Sequence, residues 1–68
     1  LEFIIKKECE YTQMSLKDLP IKKNNLIACI GRKRDVIIPN GDDHLEAGDS
    51  VIVVTKDHIV SSFRDILG

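Results

Sequence analysis

Apolar residues fall along this chain in short blocks separated by charged and turn-forming residues, and block length indicates what each one builds. Leu1 to Ile5 is bulky and β-favouring through Phe3-Ile4-Ile5 and predicts a short strand. Lys6 to Gln13 is polar and predicts an extended or looped stretch. Ser15-Leu16-Lys17-Asp18-Leu19 carries the grammar of a helix start. Ser15 stands where it can accept from the N–H of Asp18, and Asp18 where it can reach back, a capping-box variant. Met14 and Leu19 occupy the two positions of a hydrophobic staple. Pro20 disfavours helical geometry at Leu19, which limits this helix to one or two turns.

Asn24-Asn25 signals a turn, and Leu26 to Ile30 follows as an unbroken apolar run closed by Gly31. Its length and flanks favour a strand over a buried helix segment. Gly31-Arg32-Lys33-Arg34-Asp35 fits a hairpin connection, Val36-Ile37-Ile38 is the returning strand, and Pro39 ends its pairing because it has no N–H to donate. Asn40-Gly41-Asp42-Asp43 is a dense turn cluster. Leu45-Glu46-Ala47-Gly48-Asp49 is another turn, with Gly48 supplying a positive φ. Ser50 to Thr55 predicts a further strand around Val51-Ile52-Val53-Val54. Asp57 then stands as the cap of a final helix, His58 to Leu67, whose apolar stripe is Ile59, Phe63 and Ile66, widened by Val60 and Leu67. Gly68 suits the end of that helix.

The predicted order is strand, short helix, three strands, helix: an α+β domain with a small, mostly antiparallel sheet, a short helix after the first strand and a C-terminal helix. Two central strands are apolar on both faces, more than two short helices can cover. A symmetric homodimer is the expected remedy, because a 68-residue chain buries only about 60% of the surface its unfolded form exposes. The core must be aliphatic, since the aromatics are only Phe3, Tyr11 and Phe63. One domain fills residues 1–68, and the abrupt start in a strand reads as a segment of a longer protein.

Charge narrows the partners. Ten basic residues face eleven acidic ones, a net −1 that gives no broad attraction to nucleic acid or an anionic membrane. The local clusters Lys6-Lys7, Lys22-Lys23 and Arg32-Lys33-Arg34 read as solvated turns. No apolar run reaches the ~18–20 residues of a membrane span, so direct insertion of this segment is not expected. Cys9 and Cys29 are too few for a disulfide scaffold. Cys29, inside an apolar run, reads as a buried small hydrophobe, a reducing cytosolic setting fits best, and a single Cys9–Cys29 bridge stays open at this level.

The linked blocks Leu26-Ile27-Ala28-Cys29-Ile30, Val36-Ile37-Ile38-Pro39-Asn40-Gly41-Asp42 and Leu45-Glu46-Ala47-Gly48-Asp49-Ser50-Val51-Ile52-Val53 resemble the C-terminal domain of the TrkA family, also called the RCK C-terminal or TrkA-C domain. Ser15-Leu16-Lys17-Asp18-Leu19 resembles the small helix after that family's first strand. The resemblance covers almost the whole chain and implies a regulatory, non-catalytic module of a bacterial potassium or other cation transport protein. In such proteins it forms dimers and is attached to a Rossmann-type RCK N-terminal domain or to a membrane transporter subunit, on the cytosolic side. No G-x-G-x-x-G is present to bind a dinucleotide within this segment. Some family members bind cyclic di-AMP at the dimer interface of this domain. Carried onto this chain, the ligand-binding residues would be Leu26, Ile27, Ile38, Pro39 and Asn40, with Arg32 or Arg34 as phosphate partner, since an arginine fork matches phosphate geometry. A ligand-free dimerisation scaffold, appended to an antiporter or other permease, is the competing implication.

Asp42, Asp43, His44, Glu46 and Asp49 crowd into eight positions, yet without the ordered spacing of a calcium loop, and read as turn residues. His44 and His58 each lie beside an acid, Asp43 and Asp57, but no nucleophile motif accompanies Ser15, Ser50, Ser61 or Ser62, and no catalytic or metal-ligating set is assigned.

Overall fold

The computed structural model describes residues 1–57 and 59–68. Four strands form one antiparallel sheet: β1 (Glu2–Ile4), β2 (Asn25–Arg32), β3 (Asp35–Ile37) and β4 (Ser50–Thr55), in the spatial order β1-β4-β2-β3. All four strands predicted from the sequence are present, β4 with the expected bounds and the other three shifted by one or two residues at their ends. β2 and β3 are joined by the two-residue turn Lys33-Arg34, in which Lys33 takes the left-handed conformation at φ +56°. β3 stops two residues before Pro39, which could not have extended its ladder.

Among the described residues, every helical element is a short 3-10 turn: η1 (Glu10–Gln13), η2 (Leu16–Asp18) and η3 (Phe63–Ile66). η2 is the short helix expected after the first strand. Its start is built differently from a capping box: the Asp18 N–H donates to the Ser15 carbonyl (2.9 Å), while the Ser15 hydroxyl donates to the Asp18 carboxylate (2.9 Å). η1 lies in the stretch expected to be extended or looped. There Thr12 Oγ1 accepts from the Cys9 N–H (2.9 Å) and donates to the Cys9 carbonyl (2.8 Å), folding four residues into one closed turn.

The expected C-terminal α-helix is corrected. Only Phe63–Ile66 are helical, and Ile59, which the stripe placed in the core, is 89% exposed. His58, the expected first residue, lies outside the described residues. The Asp57 carboxylate accepts instead from the Asn25 side-chain amide (3.0 Å). The initiating residue is Ser62, in extended conformation. The Asp65 carboxylate turns back to accept from the N–H groups of Ser61 (2.9 Å) and Ser62 (3.0 Å) and from the Ser61 hydroxyl (3.0 Å). Those bonds hold the Asp65 carboxyl below the usual carboxylate range. The tail is fixed by backbone bonds to the segment after η2, Lys22 N–H to Ile66 carbonyl and Gly68 N–H to Pro20 carbonyl, both 2.6 Å.

Residues opposite one another in an antiparallel pair share a face, so register separates the two surfaces of the sheet. Pairing of Ile27 with Val53, Ile30 with Val51 and Phe3 with Val51 puts these on the inner face, where Ile5, Leu19, Leu45, Phe63 and Ile66 pack against them. Pairing of Leu26 with Val54, Cys29 with Ile52 and Ile4 with Ser50 defines the outer face. The alternation is re-phased by a β-bulge between Ile27 and Cys29, with Ala28 the extra residue. Cys29 is thus half-buried on the outer face, a correction to its reading as a core residue, and both cysteines are free. The outer face keeps Ile4, Leu26, Val36 and Val54 at 55–73% exposure. No helix among the described residues is long and apolar enough to cross a membrane.

Candidate functional site

The loop from Pro39 to Asp43 folds onto η2. Leu16 N–H donates to the Asp43 carbonyl (2.8 Å) and Lys17 N–H to the Gly41 carbonyl (3.0 Å). Gly41 suits this approach, since a Cβ there would stand 3.1 Å from Lys17 Cβ, a contact tight enough that the neighbour would have to shift by a few tenths of an ångström. Within the loop, Asp43 accepts from the Asn40 N–H (2.8 Å) and the Asn40 side chain accepts from the Asp42 N–H (2.9 Å), so Asn40 is held at both its polar ends. Where this loop meets the start of β2 there is a shallow groove of about 210 Å³, walled by Leu26, Ile27, Leu16, Ile21, Pro39 and Asn40.

Four of the seven residues assigned to ligand binding from the sequence therefore line one groove: Leu26, Ile27, Pro39 and Asn40. Leu26 offers an exposed side chain, whereas that of Ile27 points into the core. Ile38 is exposed beside the groove, directly before Pro39, and continues the apolar surface of the outer face. The two arginines lie elsewhere. Arg32 and Arg34 sit at the hairpin end of β2, six or more residues along an extended strand from Leu26, a separation of about 20 Å. The cation at the groove is Lys17, paired with Asp42 at 3.0 Å in a solvent-exposed ion pair. Sequence reasoning passed over Lys17 and Leu16 because they were read as helix residues; only the docking of Gly41 onto η2 brings them to the groove.

Arg32 has a different task. Its Nε donates to Asp49 Oδ1 (3.0 Å) and its Nη2 to Asp49 Oδ2 (2.9 Å), a two-point fork on a carboxylate that is 1% exposed. Nη2 also donates to the His44 carbonyl (2.7 Å), and Nη1 pairs with Glu46 at 3.0 Å. Asp49 in turn accepts from the Glu46 N–H (2.8 Å), closing the Glu46-Ala47-Gly48-Asp49 turn, in which Gly48 adopts the expected positive φ of 93°. The strand register explains the pairing: Gly31 faces Ser50, so the next step places Arg32 across from Asp49. Burial alone would push the Asp49 carboxyl up. The hydrogen bonds from Arg32 and the Glu46 N–H, with the arginine charge, outweigh it and hold the group below its ordinary value.

The acidic cluster is similarly dispersed among internal partners. Asp42 pairs with Lys17, Asp43 closes the Asn40 turn, and Glu46 and Asp49 hold Arg32. Among the described residues, no three His, Cys, Asp or Glu side chains converge on a point where a metal ion would sit.

The chain matches the TrkA-C domain over residues 1–68. It is 28% identical over all 68 residues to the Trk system potassium uptake protein TrkA homolog 2 of Methanosarcina mazei, of which it spans 15%. It is 39% identical over 54 residues, 79% of this chain, to the Trk system potassium uptake protein TrkA homolog of Archaeoglobus fulgidus, of which it spans 12%. Among solved structures it is similar to one described as "Structure of RCK domain with cda", with a TM-score of 0.70 and 28% identity, covering 79% of this chain and 76% of that one. With the sheet order, the loop docked on the small helix and a match running from end to end, the chain belongs to the TrkA-C domain family.

Proposed function

We propose that this domain is a regulatory, non-catalytic module of a potassium or related cation transport protein. It pairs with a second copy through the outer face of its sheet and senses a ligand at the seam. The observation that carries the reading is the adjacency of two features: an apolar sheet face left open to water, and a groove at its margin lined by Leu26, Pro39 and Asn40. Scattered exposed hydrophobic side chains are ordinary, but a contiguous apolar surface on a small chain favours association. Membership of the TrkA-C family and the potassium-uptake names of its relatives support the transport setting. The solved RCK neighbour, described with cda, supports a ligand-binding role.

In this reading, ligand held between two copies favours one arrangement of the pair over another. The rearrangement is passed to an attached Rossmann-type RCK N-terminal domain or membrane subunit on the cytosolic side and alters cation flux. Cyclic di-AMP is the first ligand to test. Leu26, Ile38, Pro39 and Asn40 would meet its apolar and ring surfaces, and a basic side chain would meet its phosphates. Lys17 is the cation at the groove, and Arg34, at the exposed hairpin tip, is available to a neighbouring copy.

The engagement of Arg32 with Asp49, His44 and Glu46 favours a second reading, a ligand-free dimerisation scaffold. Two measurements separate them. Sedimentation should give a dimer at micromolar concentration under either reading, and a monomer at high micromolar concentration would overturn both. Calorimetric titration with cyclic di-AMP should then give saturable heat that Asn40→Ala weakens; no heat at millimolar ligand leaves the scaffold alone.

A further inference from the structure

Away from the groove, beyond β1, a wider cleft of about 500 Å³ opens between the Ile4–Tyr11 segment and the tail that leads into η3. Its floor is aromatic. Phe63 is buried, with Tyr11 tilted against it at 5.1 Å between ring centroids and Phe3 edge-on at 6.2 Å, and Phe3 and Tyr11 are both half-open to solvent. The rim is cationic: Lys6, Lys7 and Arg64 all line it. None of the three is in a salt bridge among the described residues, although the chain as a whole is slightly acidic. Arg64 is drawn over the Tyr11 ring, its guanidinium carbon 6.0 Å from the centroid, which restrains the charge at the mouth of the cleft.

Two acidic groups nearby are already engaged. Glu2, the one carboxylate in the lining, accepts a hydrogen bond from the Ser50 hydroxyl. Asp65 is turned onto the Ser61 and Ser62 amides. Three like charges gathered around a concavity repel one another and gain from an anion placed between them. An aromatic floor beneath cations adds a preference for a flat ring, and the volume falls within the range of small-molecule sites, roughly 300–1,000 Å³.

We propose that this cleft is a second ligand site, separate from the groove at Leu26, and that it takes a small organic phosphate carrying a planar ring. The phosphate lies among Lys6, Lys7 and Arg64, and the ring lies on the exposed faces of Phe3 and Tyr11. The site is formed within one copy of the chain, so it does not depend on the dimer reading.

The test is amide NMR on the isotope-labelled 68-residue chain at low ionic strength, titrated with AMP, with adenosine (ring alone) and with ribose 5-phosphate (phosphate alone). AMP should shift the amides of Lys6, Lys7, Ser61, Ser62 and Arg64 saturably, and each half-ligand should bind at least about tenfold more weakly. Lys7→Gln and Arg64→Gln should each lower AMP affinity by about tenfold, as expected for loss of one charge-assisted contact, while leaving distant amides in place. The proposal is overturned if millimolar AMP leaves these amides unmoved, or if the shifts map to Leu26, Pro39 and Asn40 instead, which would leave the groove reading standing. It is equally overturned if ribose 5-phosphate binds as tightly as AMP, which would reduce the cleft to a bare anion patch.

Discussion

The two faces of the sheet are built from the same strands and almost the same residue types, yet they have opposite fates. Along β4, Val51 and Val53 are buried to 1% exposure or less, while Val54, the next residue in sequence, is 56% exposed. On β2, Ile30 is fully buried and Leu26 is largely open. Hydrophobicity does not distinguish these positions. What separates them is which side the connecting segments return to. η1, η2, η3 and the Glu46–Asp49 turn all pack on the inner face, and Ile4, Leu26, Val36 and Val54 on the outer face stay exposed. An apolar residue on the inner face is therefore part of the core, and one on the outer face is left to solvent in the single chain.

This comparison can be broken most forcefully from the inside. Ile30→Ala should cost about 2–5 kcal/mol, because it leaves a cavity in the centre of the core. A 68-residue domain has only roughly 3–10 kcal/mol of stability, so the variant should be largely unfolded in a urea titration. An effect under about 1 kcal/mol would mean that the inner face is looser than its burial indicates. Next in size is Asp49→Asn. Removing one member of a buried ion pair costs about 3–5 kcal/mol. Arg32 keeps some access to water, so about 2–3 kcal/mol is expected here, with the Glu46–Asp49 turn loosening first by hydrogen exchange.

Acid sharpens the same point. The Asp49 carboxyl is held below its unfolded value, so its contribution is fully present above about pH 4 and is lost as pH falls through the lower, folded value. The urea midpoint should drop below about pH 4, and Asp49→Asn should flatten that drop. Asp65, depressed in the same direction, will leave a remainder. The smallest effect on folding belongs to the outer face. Val54→Lys should change monomer stability by no more than about 0.5 kcal/mol, yet abolish the proposed dimer in a sedimentation experiment. If it unfolds the monomer instead, the outer face is part of the core and the distinction fails.

The strands were readable because Leu26 to Ile30, Val36 to Ile38 and Val51 to Val54 are short apolar runs set between polar stretches that carry Asn25, Gly31, Asp35, Pro39, Gly48-Asp49 and Asp57, whose backbone preferences act locally. Gly48 was readable for the same reason. The C-terminal helix was misread because Ile59, Phe63 and Ile66 happen to recur at helical spacing. The stronger cue was the Ser62-Phe63-Arg64-Asp65 start, the same grammar as Ser15 to Asp18, which places the first turn at Phe63 and leaves Ile59 outside. Arg32 was read as a free cation because its partner lies 17 residues away and no local pattern links them. Only the register of β2 on β4 brings the two together. Of the groove, the apolar residues were legible through family resemblance, but Lys17 was not, since its position depends on Gly41 admitting the loop to within van der Waals distance.

The extra residue Ala28 has a consequence for how evolution or an engineer can edit this domain. Under plain alternation, Leu26 and Ile30 would share a side; the bulge gives the two halves of β2 opposite parity, so one lines the groove while the other anchors the interior. Excising Ala28 would remove the bulge and leave a regular ladder in which Leu26 and Cys29 still face outward and Ile27 and Ile30 inward, because Ile27 and Cys29 already pair with the consecutive residues Val53 and Ile52. The bulge thus absorbs one residue of length without reversing its neighbours, so a one-residue deletion at Ala28 should be more forgivable than the same deletion between Cys29 and Arg32, which would turn the hairpin end of the strand over.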